Sequence, residues 1–236
     1  MHRFSIKLGN DMKKSIATKL KHLVSAGALL AVSSMAHADV VYTFTSTQVA
    51  AFGAAPYGTV TLNDIGTGVT FKVQLRPDLN FVNTGGPHSI FSFNALGVLS
   101  SDISNILFNG IADPNVTVLS PGANQPFGTS FSLMLDCTGA GCANGAPGAH
   151  FDPLTFTVAN AEYSDFGFMA SGTTAFFAAD VICVTGQCNG ATGAIGVVGG
   201  GGGGGGGTGT PIPEPLSVSL MALGLLGVAT TRRLRR

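Results

Sequence analysis

Tryptophan is absent from the 236 residues, charged side chains make up only 10%, and just two cations, Lys72 and Arg76, occur between Ala38 and Val198. Each scarcity excludes something. The same central stretch holds ten acids, Asp39 to Asp180, so it carries a net −8 and offers no electrostatic footprint for nucleic acid. Without Trp the strongest stacking platform for sugars is missing. Charges are too few to flank heptads, and the 34 glycines show no three-residue period, which removes coiled coil and collagen. Disorder of the whole chain is excluded by a hydrophobic fraction of 45%. No G-x-S-x-G elbow, H-E-x-x-H helix, kinase-like set, D-x-D-x-D-G loop or calcium-binding nonapeptide repeat occurs. The length suits one domain with tails.

What is present first concerns the two ends. Ten of the 12 Lys and Arg residues lie there, six within the first 21 positions and four in the last five. Near the N-terminus a basic stretch ends at Lys21-His22, an apolar run covers Leu23 to Val32, and Ala36-His37-Ala38 follows. Basic region, short apolar run and small-x-small triplet in that order describe a signal peptide, with Asp39 the expected first mature residue. Residues 1–11 read as an upstream extension, because Met12-Lys13-Lys14 has the form of a natural start.

At the other end nine glycines, Gly199 to Gly207, lead to Pro211-Ile212-Pro213-Glu214-Pro215. The apolar segment Leu216 to Thr231 and then Arg232, Arg233, Arg235 and Arg236 close the chain. As a helix, the apolar segment spans roughly 24 Å at about 1.5 Å per residue, short of a ~30 Å hydrocarbon core. The arginines mark its cytoplasmic side. Residues 211–236 resemble the PEP-CTERM sorting signal of Gram-negative bacteria, in which a Pro-Glu-Pro motif precedes a membrane helix and an Arg cluster. The resemblance implies processing by an exosortase and passage through the inner membrane to the cell surface or matrix. The glycine tract, residues 199–210 with its Thr-rich end, reads as a flexible spacer that holds the body away from the membrane. It is no phosphate loop, since no Lys-Ser/Thr follows.

The body, residues 39–198, alternates at period two. Val60 and Leu62 alternate with Thr59 and Thr61, Asn63 to Gly68 turns the chain, and Val69, Phe71, Val73 and Leu75 alternate with Thr70, Lys72, Gln74 and Arg76. This is a half-buried hairpin. Further strands are expected at Val40–Thr45, Ile90–Ala95, Val116–Leu119, Phe131–Asp136, Leu154–Val158, Phe166–Met169 and Phe176–Val184, and one short helix at Ser101–Ile111. The expected fold is all-β, an antiparallel β-sandwich or jelly-roll-like domain, with an irregular barrel open. The Phe residues are assigned to the core, most of them in the apolar phase of these strands. The runs Phe81–His88 and Phe151–Val158 also resemble exported proteins carrying the same tail, which implies an export class and no activity.

Chemistry-bearing residues are few. Cys137, Cys142, Cys183 and Cys188 form two C-x4-C pairs. Four thiolates suit zinc, but export favours disulfides. Three connectivities are open. Chain entropy favours long-range bridges, about 4 kcal/mol for a 47-residue loop against roughly 2 for six residues. The pinched Gly-containing turns favour Cys137–Cys142 and Cys183–Cys188, the expected pairing. The body has two histidines, His88 and His150; His150 and Asp152 share a face if extended, but a metal would need a third ligand. Asp136, Asp152, Glu162, Asp165 and Asp180 could supply a carboxylate pair or a calcium site. No catalytic residue, cofactor or metal is assigned.

The function expected from these readings is that of an exported, non-catalytic surface or matrix protein. Its partners are signal peptidase and exosortase during processing, the membrane through the tail, and exopolysaccharide, the setting the sorting family implies. A secreted glycan- or calcium-binding module is the alternative, and a secreted hydrolase lacks any constellation to support it.

Overall fold

The computed structural model describes residues 39–138 and 145–199 together with the backbone of 210–212. These residues belong to one compact unit, His37–Pro213. It is all-β and antiparallel, and the described residues contain no α-helix, only short 3₁₀ turns. No helix among them is long and apolar enough to cross a membrane; the expected signal peptide and membrane segment lie outside the described residues.

The strands are β1 (Asp39–Phe44), β2 (Ser46–Thr47), β3 (Gly58–Asp64), β4 (Gly68–Leu75), β5 (Leu79–Phe81), β6 (Phe91–Phe93), β7 (Ile103–Phe108), β8 (Val116–Leu119), β9 (Gly122–Asn124), β10 (Gly128–Phe131), β11 (Leu133–Cys137), β12 (Leu154–Ala159), β13 (Ala175–Cys183), β14 (Thr192–Val198) and β15 (Thr210–Ile212). The first sheet has the order β15-β1-β3-β4-β12-β7. The second runs β2-β14-β13-β6-β11-β8, with β5 also pairing with β13, and β9 and β10 form a separate hairpin. The β3–β4 hairpin forms as the alternation requires, closed by Gly66 N–H donating to Asp64 Oδ1 at 2.7 Å.

Between the sheets lies a phenylalanine core. Phe71 on β4 stacks on its cross-strand neighbour Phe156 at 4.5 Å, and meets Phe93 at 5.4 Å and Phe177 at 6.2 Å from the second sheet. Phe44, Phe71, Phe81, Phe91, Phe93, Phe131, Phe156 and Phe177 are fully buried. At roughly 1.5–3 kcal/mol for each side chain removed from water, these rings are the main stabilising term. Phe151 departs from the expected core role, being 65% exposed.

Three local expectations are corrected. Ser101–Ile111 is not a helix but a 3₁₀ turn followed by β7, which pairs with β12. The register slips between Thr155 and Thr157, so β7 carries an extra residue near Asn105, whose φ is +55°. That bulge breaks the period of two and gives Ile103, Ile106 and Leu107 a helical spacing. The run Phe131–Asp136 is split: Phe131 ends β10 in a small second core with Phe127, Ala175, Ala178 and Ala194, while Leu133 enters the main core. Phe166–Met169 forms no strand; Phe166 alone bridges to Ala95, and Gly167 turns at φ +76° with the Tyr42 hydroxyl where a Cβ would sit.

The ends of the body meet. β1 pairs on its outer edge with β15, Asp39 opposite Ile212 and Val41 opposite Thr210. The residues that link β14 of the second sheet to β15 of the first, 200–209, hold most of the glycine tract and lie outside the described residues.

Candidate functional site

Cys183 and Cys188 are bonded to each other, with Cα atoms 5.6 Å apart, and clamp the turn between β13 and β14. Cys137 at the end of β11 is also disulfide-bonded; Cys142 lies outside the described residues. Asp78 converges on Cys183 and Cys188, yet sulfurs joined in a disulfide cannot act as thiolate ligands, so this is no metal centre. Asp39 opens β1. Ala36, Ala38, Pro213, Glu214, Pro215, Arg232, Arg233, Arg235 and Arg236 lie outside the described residues.

The two histidines go to different places. His150 turns away from Asp152 and pairs with Asp113, Nε2 to Oδ2 at 2.9 Å. Its ring lies 4.4 Å from that of Phe108, in the wall of an open cleft of about 240 Å³ that Ile111 and Phe151 also line. The other ring nitrogen, Nδ1, is buried without a partner, so it is not presented to a substrate as a base, and the cleft is lined by no hydroxyl or thiol. The residue's visible work is structural: its main chain exchanges hydrogen bonds of 2.8 and 3.1 Å with Phe81. Asp152 accepts from the side chain of Gln74 and from Leu75 N–H, and burial raises its pKa. Asp113 is held low by the Asn115 N–H and, less, by His150.

Of the five candidate carboxylates the fold unites two, Asp136 and Asp180. Along β13, Phe177, Ala179, Val181 and Cys183 enter the main core, which turns Ala178, Asp180 and Ile182 to the outer face of the second sheet. The segment Asn83–Ser89 arches over that face. It leaves where Val82 N–H donates to the Asp180 carbonyl at 3.0 Å, and returns where Asp180 N–H donates to the Ile90 carbonyl at 3.3 Å. Gly85 and Gly86, at φ +81° and +65°, make the bend. Beneath it Asp180 is 0% exposed; its Oδ2 accepts from Thr84 N–H at 2.9 Å and the Thr84 hydroxyl at 2.5 Å, while Oδ1 has no partner. Asn83 Nδ2 donates to Asp136 Oδ1 at 2.7 Å, so adjacent arch residues hold the two acids.

The far end of the arch rests on β9. Asn124 pairs with His88 and donates its side-chain amide to the Ser89 carbonyl at 2.7 Å. Asn124 Oδ1 and His88 Nδ1 are buried without partners. Burial pushes the Asp180 carboxyl upward, opposed by the Thr84 hydrogen bonds and the charge of His88. Burial likewise raises Asp136, the Cys137 N–H opposes, and the charge of Asp180 adds to the rise. Glu162 and Asp165 stand apart at a 3₁₀ turn, where Asp165 accepts from Glu162 N–H.

A lone acid in the apolar run Ala175–Cys183 is the sequence signal for Asp180. Nothing in local spacing points to Thr84, Asn124 or Asp113, which reach their partners only through the topology. Comparison with protein-family models, with curated proteins and with solved structures yields no match.

Proposed function

We propose that the chain is an exported, non-catalytic protein of the cell surface or extracellular matrix, delivered through a PEP-CTERM-type tail that an exosortase processes. The observation that carries this reading is the order Pro213-Glu214-Pro215, apolar Leu216 to Thr231, and four closing arginines. In this reading the β-sandwich is flanked by a signal peptide, residues 1–38, and a membrane-spanning sorting helix. The body supports it in two ways. The Cys183–Cys188 disulfide suits an oxidising compartment. Asp39 and Ile212 are the outermost residues of paired strands, so removal of both flanking segments leaves all fifteen strands intact. The acidic body suits a polysaccharide matrix as a neighbour, not an anionic polymer. Intact-mass measurement of the exported protein tests the proposal: the chain should begin at Asp39 and lack the arginine tail. A mass that retains residues before Asp39 would overturn it.

A further inference from the structure

We propose that the outer face of the second sheet binds a hard divalent cation, calcium in an extracellular setting, between Asp180 and Asp136 beneath the arch Asn83–Ser89. The starting point is an unbalanced charge. Asp180 is fully buried, and Asp136 lies on β11, across β6 from it; the adjacent arch residues Asn83 and Thr84 bond one acid each. The body's two cations do not face them: Arg76 is engaged by Asp78 and by the carbonyls of Phe52 and Ala54, and Lys72 lies exposed on β4 of the first sheet. A protonated His88 would supply one charge against two.

The unpaired oxygens decide what is missing. Asp180 Oδ1 accepts no hydrogen bond, so the buried charge it shares is neither balanced by a cation nor solvated at that atom by the protein. A cation meets both needs, because it neutralises the carboxylate and ligates its lone pairs. Asn124 Oδ1 is a second fully buried oxygen without a partner, on the strand against which the arch closes. Carboxylate and amide oxygens are the ligands of calcium; a softer metal would want sulfur or nitrogen. Among the described residues no third acid, histidine or cysteine converges with these two, so the remaining ligands are amide and main-chain oxygens. Two carboxylates place the site in the weak class typical of extracellular modules, Kd about 10⁻⁴–10⁻³ M. The Gly85-Gly86 bend gives the arch a point at which to open for entry.

The test uses the full chain and does not depend on its export, so the two proposals fail separately. Thermal unfolding at neutral pH is compared in chelator and in about 10 mM calcium chloride. Wild type should gain about 3–11 °C in Tm, and calorimetric titration should give one site per chain. Asp180→Asn keeps the shape and the acceptor but removes the charge. It should melt no lower than wild type in chelator and show no calcium shift. Glu162→Gln, an exposed acid elsewhere, should keep the full shift. If Asp180→Asn does not fold, Asp136→Asn serves, with the shift at least halved. No calcium shift in wild type, or an equal shift in the Asp180→Asn or Asp136→Asn protein, would overturn the proposal.

Discussion

Replacing Phe71 by Ala probes the joint between the two sheets. The ring is 0% exposed and touches four others: Phe156 stacked at 4.5 Å, Phe166 edge-on at 4.8 Å, Phe93 at 5.4 Å and Phe177 at 6.2 Å. Truncating a buried Phe costs about 3–5 kcal/mol in lost transfer energy and residual cavity. Each aromatic pair contributes about 0.5–1.5 kcal/mol beyond area, though not additively, so the upper end, about 4–5 kcal/mol, is expected. For a domain with about 5–15 kcal/mol in hand this is about a quarter or more of its stability, and a fall in Tm of about 8–20 °C. Phe71→Leu, which keeps most of the volume, should lose less than about 2 kcal/mol. Phe151→Ala, at a ring 65% exposed, should stay within about 0.5 kcal/mol of wild type. Urea unfolding monitored by near-ultraviolet circular dichroism reads all three. A loss below about 2 kcal/mol for Phe71→Ala, or one equal to that of Phe151→Ala, would refute a shared core between the sheets.

The Cys183–Cys188 bond spans a separation of five residues. Its removal in a Cys183→Ala, Cys188→Ala protein should cost about 2 kcal/mol of loop-closure entropy, and reductant should destabilise wild type more than the variant, which keeps the disulfide of Cys137. Stability should also depend on pH in a defined sense. Asp180, whose rise the charge of His88 opposes, and Asp136, whose rise the charge of Asp180 assists, bind their protons more tightly folded than unfolded. Their contribution is therefore greatest below the ordinary carboxylate range and is lost as pH rises through their raised values. Asp78, lowered by Arg76, and Asp113, lowered by Asn115 N–H, act oppositely and lose their contribution as pH falls below the ordinary value of 3.8. In chelator the Tm should accordingly rise from neutral pH toward mildly acidic pH and fall again in strong acid. Asp180→Asn should flatten the first limb; an unchanged first limb in that variant would contradict the assignment.

Local pattern was enough for β3, β4 and β12, because each buries one face with an unbroken apolar period, while β8 and most of β13 show as β-branched and apolar runs. Where an extra residue or a switch of sheet interrupts that period, the pattern misleads. The β7 bulge mimics helical spacing, and Ser132 divides two apolar residues between two cores. Beyond the β3–β4 hairpin the partners were not legible, since β13 pairs with β5 and β6 from distant parts of the chain. The site is illegible for the same reason. Asp136 and Asp180 come together because β11 and β13 flank β6, and Thr84 reaches Asp180 across 96 residues of sequence. His150 shows the reverse hazard: Asp152 is its neighbour in sequence, but Asp113, 37 residues away, is its partner.

The central claim is that the tail is a removable sorting signal and not a permanent anchor. An anchor needs only the apolar segment and its flanking cations, so Glu214 would be dispensable. A processing signal needs its motif. Pulse-chase labelling of wild type and Glu214→Ala in the native host, followed by membrane fractionation, separates the two. Wild type should lose its tail and leave the inner membrane, while Glu214→Ala accumulates as an uncut, membrane-bound precursor. Equal maturation of the two proteins, or retention of the tail in both, would contradict the account.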